Sequence, residues 1–190
     1  MYHKTHVKVY LFIAYIMIFT KTKISGAYII DVEPKKDSRG YFARAFCSVE
    51  MYKHNIIFIP AQANISHNIR RGTIRGMHYQ ERTISEPKFI RCIQGVVWDV
   101  IIDMRPESST YLEHVAIELS AENGRAVYMP SMCAHGNQSL TNNTELLYLM
   151  GCIHTPGHER GLRYDDPAIN IDWPLPVGDI NERDSKWPLL

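Results

Sequence analysis

KFIRCIQGVVWDVIIDMR, residues 88–105, joins two runs of strand-forming residues through one glycine, Gly95. Each run is apolar, rich in Val, Ile, Phe and Trp, and too short for an ordinary helix, so the pair reads as two strands broken at Gly95. The same rhythm extends in both directions: AYIIDVE (27–33), the NIIFIPAQANIS region (55–66), HVAIELS (114–120), RAVYMP (125–130) and ELLYLMG (145–151). AENGR (121–125) carries an Asn-Gly turn and is expected to close a hairpin between HVAIELS and AVYMP. No long segment of helical period competes. SVEMYKHN (48–55) is the best short helix, with Ser48 as its candidate cap. Beyond Tyr164 the chain turns rich in proline and turn residues, and is expected to wrap the surface before a short terminal helix or turn. Many short strands without a βαβ rhythm predict an all-β sandwich, jelly roll or barrel.

The totals bound the rest. With 190 residues, 45% hydrophobic and 22% charged, the chain has material for one domain with one core. Lys+Arg 21 against Asp+Glu 20 leaves a formal charge of +1, so no global field for nucleic acid exists and any anion site must be local. Cys47, Cys92, Cys133 and Cys152 form no CxxC pair, which argues against a zinc ribbon or a thioredoxin-like motif and for reduced thiols in a cytoplasm. VYLFIAYIMIF (9–19) is apolar but shorter than the ~20 residues of a membrane span, and no small-x-small cleavage site follows it. Residues 1–16 therefore read as an N-terminal extension or alternative start, ahead of a single domain over 17–190. A signal, an anchor or a dimer-packing strand are the other readings of that segment. No membrane partner is expected.

Chemistry-bearing residues concentrate in RRGTIRGMHYQ (70–80). Strict alternation on a strand places Arg75 and His78 on opposite faces, and Gly76 between them offers a bulge or bend that brings both to one side. In QANIS (62–66), Gln62, Asn64 and Ser66 share a face, which is either a wet pocket wall or an ordinary solvent face. Lys88 opens a strand soon after His78, and His135 lies in CAHG after Pro130. Each histidine taken alone is most often a satisfied structural group. A catalytic metal is the obvious rival reading for histidines in a β-rich chain, but no HxH with a following glutamate is present and Gln80 is a poor ligand.

Taken together, DSRGYF (37–42), QANIS, GTIRGMHYQ (72–80), KFIRCIQGVVWDVIIDMRPESSTY (88–111), LSAENGRAVYMP (119–130), HERGLRYDDP (158–167), INIDWP (169–174) and NERD (181–184) resemble the dTDP-4-dehydrorhamnose 3,5-epimerase family. The likeness runs from about Met17 to Leu190. It implies a cupin-type double-stranded β-helix, or jelly roll, with short peripheral helices, acting on a nucleotide-linked 4-keto sugar without metal or redox cofactor. It makes His78 the base that removes a sugar proton, Asp184 the carboxylate that orients its ring, and Tyr148 the acid that returns a proton from the opposite face. Arg39, Arg75 and Lys88 match residues that hold the diphosphate or polarise the sugar. Gln62 and Asn64 match nucleotide or sugar contacts, and His135 and Glu159 match further substrate contacts. Such a set fits the chemistry, since a proton beside a ketone is weakly acidic and its removal needs a placed base and a stabilised enolate oxygen.

The chain departs from the family pattern at recognition positions. Arg44 stands where many members have a glutamate that contacts the nucleotide, and Ile153 and His154 replace an aromatic pair whose second ring stacks on thymine. The resemblance also implies a homodimer with an N-terminal strand exchanged or packed at the interface. The remaining alternatives are a non-catalytic nucleotide-sugar-binding cupin, a related keto-sugar isomerase, and a metal-dependent cupin oxygenase.

Overall fold

At Gly95 (φ +75) the chain passes from β7 (Lys88–Gln94) into β8 (Val96–Asp103), and the two strands belong to different sheets. A Cβ at Gly95 would lie 2.5 Å from Thr141 Oγ1, so the corner is both conformationally and spatially reserved for glycine. The computed structural model describes residues 16–81 and 83–190; the extension reading falls almost wholly on residues outside these.

Among the described residues, one sheet has six strands in the order β1 (Met17–Lys21), β2 (Tyr28–Val32), β10 (Ala126–Met129), β7, β12 (Thr144–Met150) and β5 (Gln62–Asn68). The other has five, in the order β13 (Glu159–Gly161), β6 (Ile74–Gln80), β11 (Cys133–Ser139), β8 and β9 (His114–Ser120). The pairings within both sheets are antiparallel. A small hairpin, β3 (Lys35–Asp37) with β4 (Gly40–Phe42), projects separately. This is the expected all-β jelly roll.

Alternation along the strands builds three apolar layers. Ile90, Val97, Ile101, Leu119, Val127 and Leu146 pack between the sheets. Their neighbours in β7 and β10, Phe89 and Tyr128, face the other way and meet Met51, Ile56 and Phe58 in and after α1 (Ser48–Lys53). Val100, Ile102 and Met77 cover the outer face of the five-stranded sheet, where the C-terminal segment lays Leu162 and Ile169 over them. Full burial of each such side chain contributes about 1.5–3 kcal/mol.

Three local expectations change. AENGR closes no two-stranded hairpin, because β9 and β10 lie in different sheets. Ser120 and Asn123 exchange side chain-to-backbone hydrogen bonds, at 3.1 and 3.0 Å, and Gly124 (φ +59) completes a corner that sends Val127 into the opposing sheet. Strand structure in NIIFIPAQANIS is confined to β5; residues 56–60 run irregularly, burying Ile56 and Phe58 while Ile57 and Ile59 stay exposed. Ser48 is the first helical residue and not the cap, a position held by Cys47 without a side-chain cap bond.

Candidate active site

Arg75 and His78 share a cavity because β6 is bulged between them. His78 pairs with His135 and Arg75 with Asn137, so Gly76 and Met77 together oppose the single residue Gly136. The extra residue resets the alternation. Met77 turns to the outer layer, while Arg75 and His78 both line a 270 Å³ cavity between the sheets. Gly76 sits at φ +114, and a Cβ there would come within 2.6 Å of both Gly136 Cα and His135 O.

Opposite this bulge the C-terminal helix α2 (Glu182–Ser185) delivers Asp184, 1% exposed. Asn181 caps the helix by accepting from Asp184 N at 2.7 Å. Asp184 Oδ1 is 2.7 Å from His78 Nε2, and Oδ2 accepts from Gly76 N at 3.1 Å. Burial by itself would raise this carboxyl, but the His78 ring and the Gly76 amide hold it below its ordinary value. The Trp187 ring stands edge-on to His78 at 6.2 Å.

The same cavity contains Ser66, Lys88, His135, Asn137 and Tyr148. Tyr148 comes from β12, where it pairs with Asn64 on one side and Ile90 on the other. Its hydroxyl accepts from Asn137 Nδ2 at 3.3 Å. Burial, and secondarily the Asp99 carboxylate, push the phenol well above its usual value, so it is a proton donor across the neutral range. His135 Nε2 lies 2.7 Å from Asp99 Oδ2, with both side chains buried, and its ring meets Tyr148 edge-on at 5.8 Å. Arg75 Nε donates to Asn68 Oδ1 at 2.5 Å and a terminal nitrogen to His67 O at 3.1 Å.

A second cavity of 290 Å³ shares His78 and Lys88 with the first and continues past Gln80, Glu86, His154, Glu159 and Arg183. His154 Nε2 lies 3.2 Å from Glu159 Oε1, and its backbone N–H donates to Gln62 Oε1. The Glu159 carboxyl is lowered chiefly by backbone N–H groups, and further by His154 and Arg183. Thus His78, Asp184, Tyr148, Lys88, Arg75, His135, His154 and Glu159 come together around one two-lobed site, with Gln62 at its rim. Asn64 is exposed on β5.

Besides Asn64, which lines neither lobe, two of the expected substrate contacts do not join them within one chain. Arg39 pairs with Asp37 at 2.7 Å on the exposed β3–β4 hairpin, and Arg44 pairs with Glu50 beside α1. Both sit on the connection between β2 and β5 rather than on the walls of the sandwich. Conversely, Asp99, Asn137, Glu86 and Arg183 were not singled out from sequence. Asp99 did carry a signal, a lone charge in the apolar run VVWDVII, which burial makes costly unless it is paired. Among the described residues no group of three His, Cys, Asp or Glu side chains is placed to hold a metal ion, and no helix is long and apolar enough to cross a membrane.

A jelly roll that gathers a histidine–carboxylate pair, a buried lysine and a tyrosine around one inter-sheet cavity is the architecture of a cupin-type isomerase. The comparisons with known proteins narrow this. The family model described as dTDP-4-dehydrorhamnose 3,5-epimerase matches residues 21–190, and the chain belongs to that family. The dTDP-4-dehydrorhamnose 3,5-epimerase of Methanothermobacter thermautotrophicus is 37% identical over 175 residues, 90% of this chain and 94% of that protein. The dTDP-4-dehydrorhamnose 3-epimerase of Streptomyces niveus is 32% identical over 169 residues, 88% of this chain and 81% of that protein. A crystal structure of the 3,5-epimerase from Bacillus anthracis, with TDP and PPi bound, superposes with a TM-score of 0.89 at 28% identity, covering 92% of this chain and all of that one.

Proposed function

We propose that this protein epimerises a dTDP-linked 4-keto-6-deoxy sugar, at carbon 3, carbon 5 or both, by removing and returning a proton through an enolate. The observation that carries the reading is the placement of the His78–Asp184 pair, Lys88 and Tyr148 around one cavity. Asp184 engages His78 Nε2, which leaves Nδ1 as the basic nitrogen for the sugar C–H. The Asp184 carboxylate, 2.7 Å away, faces the positive charge that forms on the ring as it takes the proton. The Lys88 ammonium meets the charge that develops on the keto oxygen, and the Tyr148 hydroxyl protonates the opposite face of the planar enolate, inverting the carbon. Arg75 holds the diphosphate through charge-assisted bonds, and His135, Gln62, Asn64 and Glu159 orient sugar and nucleotide. This sequence of proton transfers draws on no metal or redox cofactor.

Single-carbon epimerisation is the second reading, supported by Ile153 and His154 in place of an aromatic pair at the second lobe and by the likeness to a 3-epimerase. Incubation with dTDP-4-keto-6-deoxyglucose in deuterated water, read by NMR, separates the readings through which sugar carbons acquire deuterium. No incorporation at either carbon rejects the epimerase reading in favour of a binding protein.

We further propose a cytoplasmic homodimer. Ile57, Ile59, Ile65 and Ile69, between 66% and 78% exposed, flank or lie on the edge strand β5, which among the described residues pairs only with β12, a surface suited to a second copy. The four free cysteines suit a reducing compartment. A monomer by sedimentation at micromolar concentration would remove the dimer.

A further inference from the structure

Glu86 is a carboxylate buried at a place where burial is costly. It is 9% exposed, and its two oxygens have separate partners. Gln80 Nε2 donates to Oε1 at 2.6 Å, and Oε2 lies 3.1 Å from the Nζ of Lys88, itself 6% exposed. Lys88 Nζ also donates to His78 O at 3.4 Å. Pro87, between the two charges, is clamped: a Cβ on the facing Gly151 would fall 2.5 Å from its ring. Both charged groups line the second lobe, and Lys88 lines the first as well.

A lysine has three N–H donors on a long flexible stem, and its value to a developing oxyanion depends on being aimed before the reaction begins. With Glu86 and the His78 carbonyl fixing Nζ, donor capacity remains for the cavity. We infer that Glu86, itself oriented by Gln80, is a positioning residue that pins the Lys88 ammonium for the sugar keto oxygen. The inference rests on the epimerase reading. The competing view is that Glu86 only compensates the buried charge of Lys88 and serves the fold.

Deuterium wash-in from solvent into dTDP-4-keto-6-deoxyglucose, measured for the full chain, Glu86→Gln, Lys88→Gln and the double variant, distinguishes the two. Glu86→Gln should lower kcat by roughly 10- to 100-fold while KM stays within about threefold, since a small misplacement of a catalytic group is costly. The double variant should fall no further than Lys88→Gln alone, because Glu86 acts through that residue. Wild-type kcat in Glu86→Gln, or losses that multiply in the double variant, overturn the inference. Should Glu86→Gln fail to fold, Gln80→Leu keeps both charges and frees the carboxylate; it must show the same kcat-selective loss, and unchanged kcat there also overturns it. Absence of wash-in by the wild-type protein rejects the epimerase reading itself, a result distinct from wash-in that ignores Glu86.

Discussion

Across a 2.7 Å contact, Asp184 is 1% exposed while His78 keeps 31% of its side chain open to the cavity. The carboxylate is shielded from water and the imidazole is not, so Asp184 fixes the ring while His78 remains able to meet a substrate. Asp184→Asn should lower kcat by roughly 100- to 10,000-fold with the fold retained, the range associated with a positioned acid–base group. His78→Asn should abolish deuterium exchange. Exchange at the wild-type rate in either variant would remove the base assignment.

Tyr148 makes a different demand on the same assay. Its phenol is held protonated by burial, which suits it to give a proton in the proposed reaction and not to take one. In Tyr148→Phe the His78 face is intact and enolate formation continues. Deuterium should still enter the sugar, while the epimerised product forms roughly 100-fold more slowly or worse. Parallel loss of exchange and product would place Tyr148 in proton removal.

Much of the fold was legible because short strand-forming runs recur between turn signals and Gly95 marks a corner. The sheet to which each strand belongs was not, since an Asn-Gly turn looks the same whether it joins neighbours or, as after β9, crosses between sheets. Residue types alone left His78 and Arg75 ambiguous; the family resemblance gathered the site residues, and the bulge at Gly76 supplies the physical reason that the two share a cavity. Glu86, Asn137 and Arg183 escaped notice because nothing local distinguishes them. Their place follows from strands and a terminal helix that converge only in three dimensions.

At the second lobe, His154 is 56% exposed on its side chain and leans on Glu159 at 3.2 Å. An imidazole offers a stacked base less area than a phenol. His154→Tyr should therefore strengthen dTDP binding by about 0.5–1.5 kcal/mol, the added worth of an aromatic pair. Through linkage, the thermal shift produced by dTDP should grow relative to wild type. An unchanged shift would show that the base does not stack at this position.

Acid stability turns on Asp103, which is 0% exposed and accepts from Arg105 Nε, Ser108 Oγ and Thr110 Oγ1 at 2.7, 2.6 and 2.7 Å. Burial would raise its carboxyl, but these donors bring it down from 3.8 to about 2. A depressed folded-state value means that the contribution is fully present above the ordinary 3.8 and is lost as pH falls toward about 2. It amounts to roughly 2 kcal/mol by the usual conversion. Denaturant titrations at pH 5 and pH 2 should show Asp103→Asn less stable than wild type at the higher pH and the gap narrowed at the lower. Asp184, also lowered, adds a loss of the same sign in the same direction. A gap that widens on acidification contradicts the assignment.

Gly76 joins stability to chemistry. Its φ of +114 disfavours any side chain, and the atoms that a Cβ would strike at 2.6 Å are backbone, Gly136 Cα and His135 O, which cannot rotate away. Gly76→Ala must therefore either strain the β6–β11 ladder or flatten the bulge. The first costs more than about 3 kcal/mol, combining a disfavoured backbone with a main-chain clash. The second restores strict alternation, moves Arg75 or His78 off the shared face and separates the Gly76 amide from Asp184. Both routes lower activity, but they differ in the denaturant midpoint: a strained ladder loses stability, whereas a flattened one retains more of it and loses the histidine–carboxylate pair. An alanine variant with wild-type stability and wild-type exchange would mean that the bulge does not place these two residues.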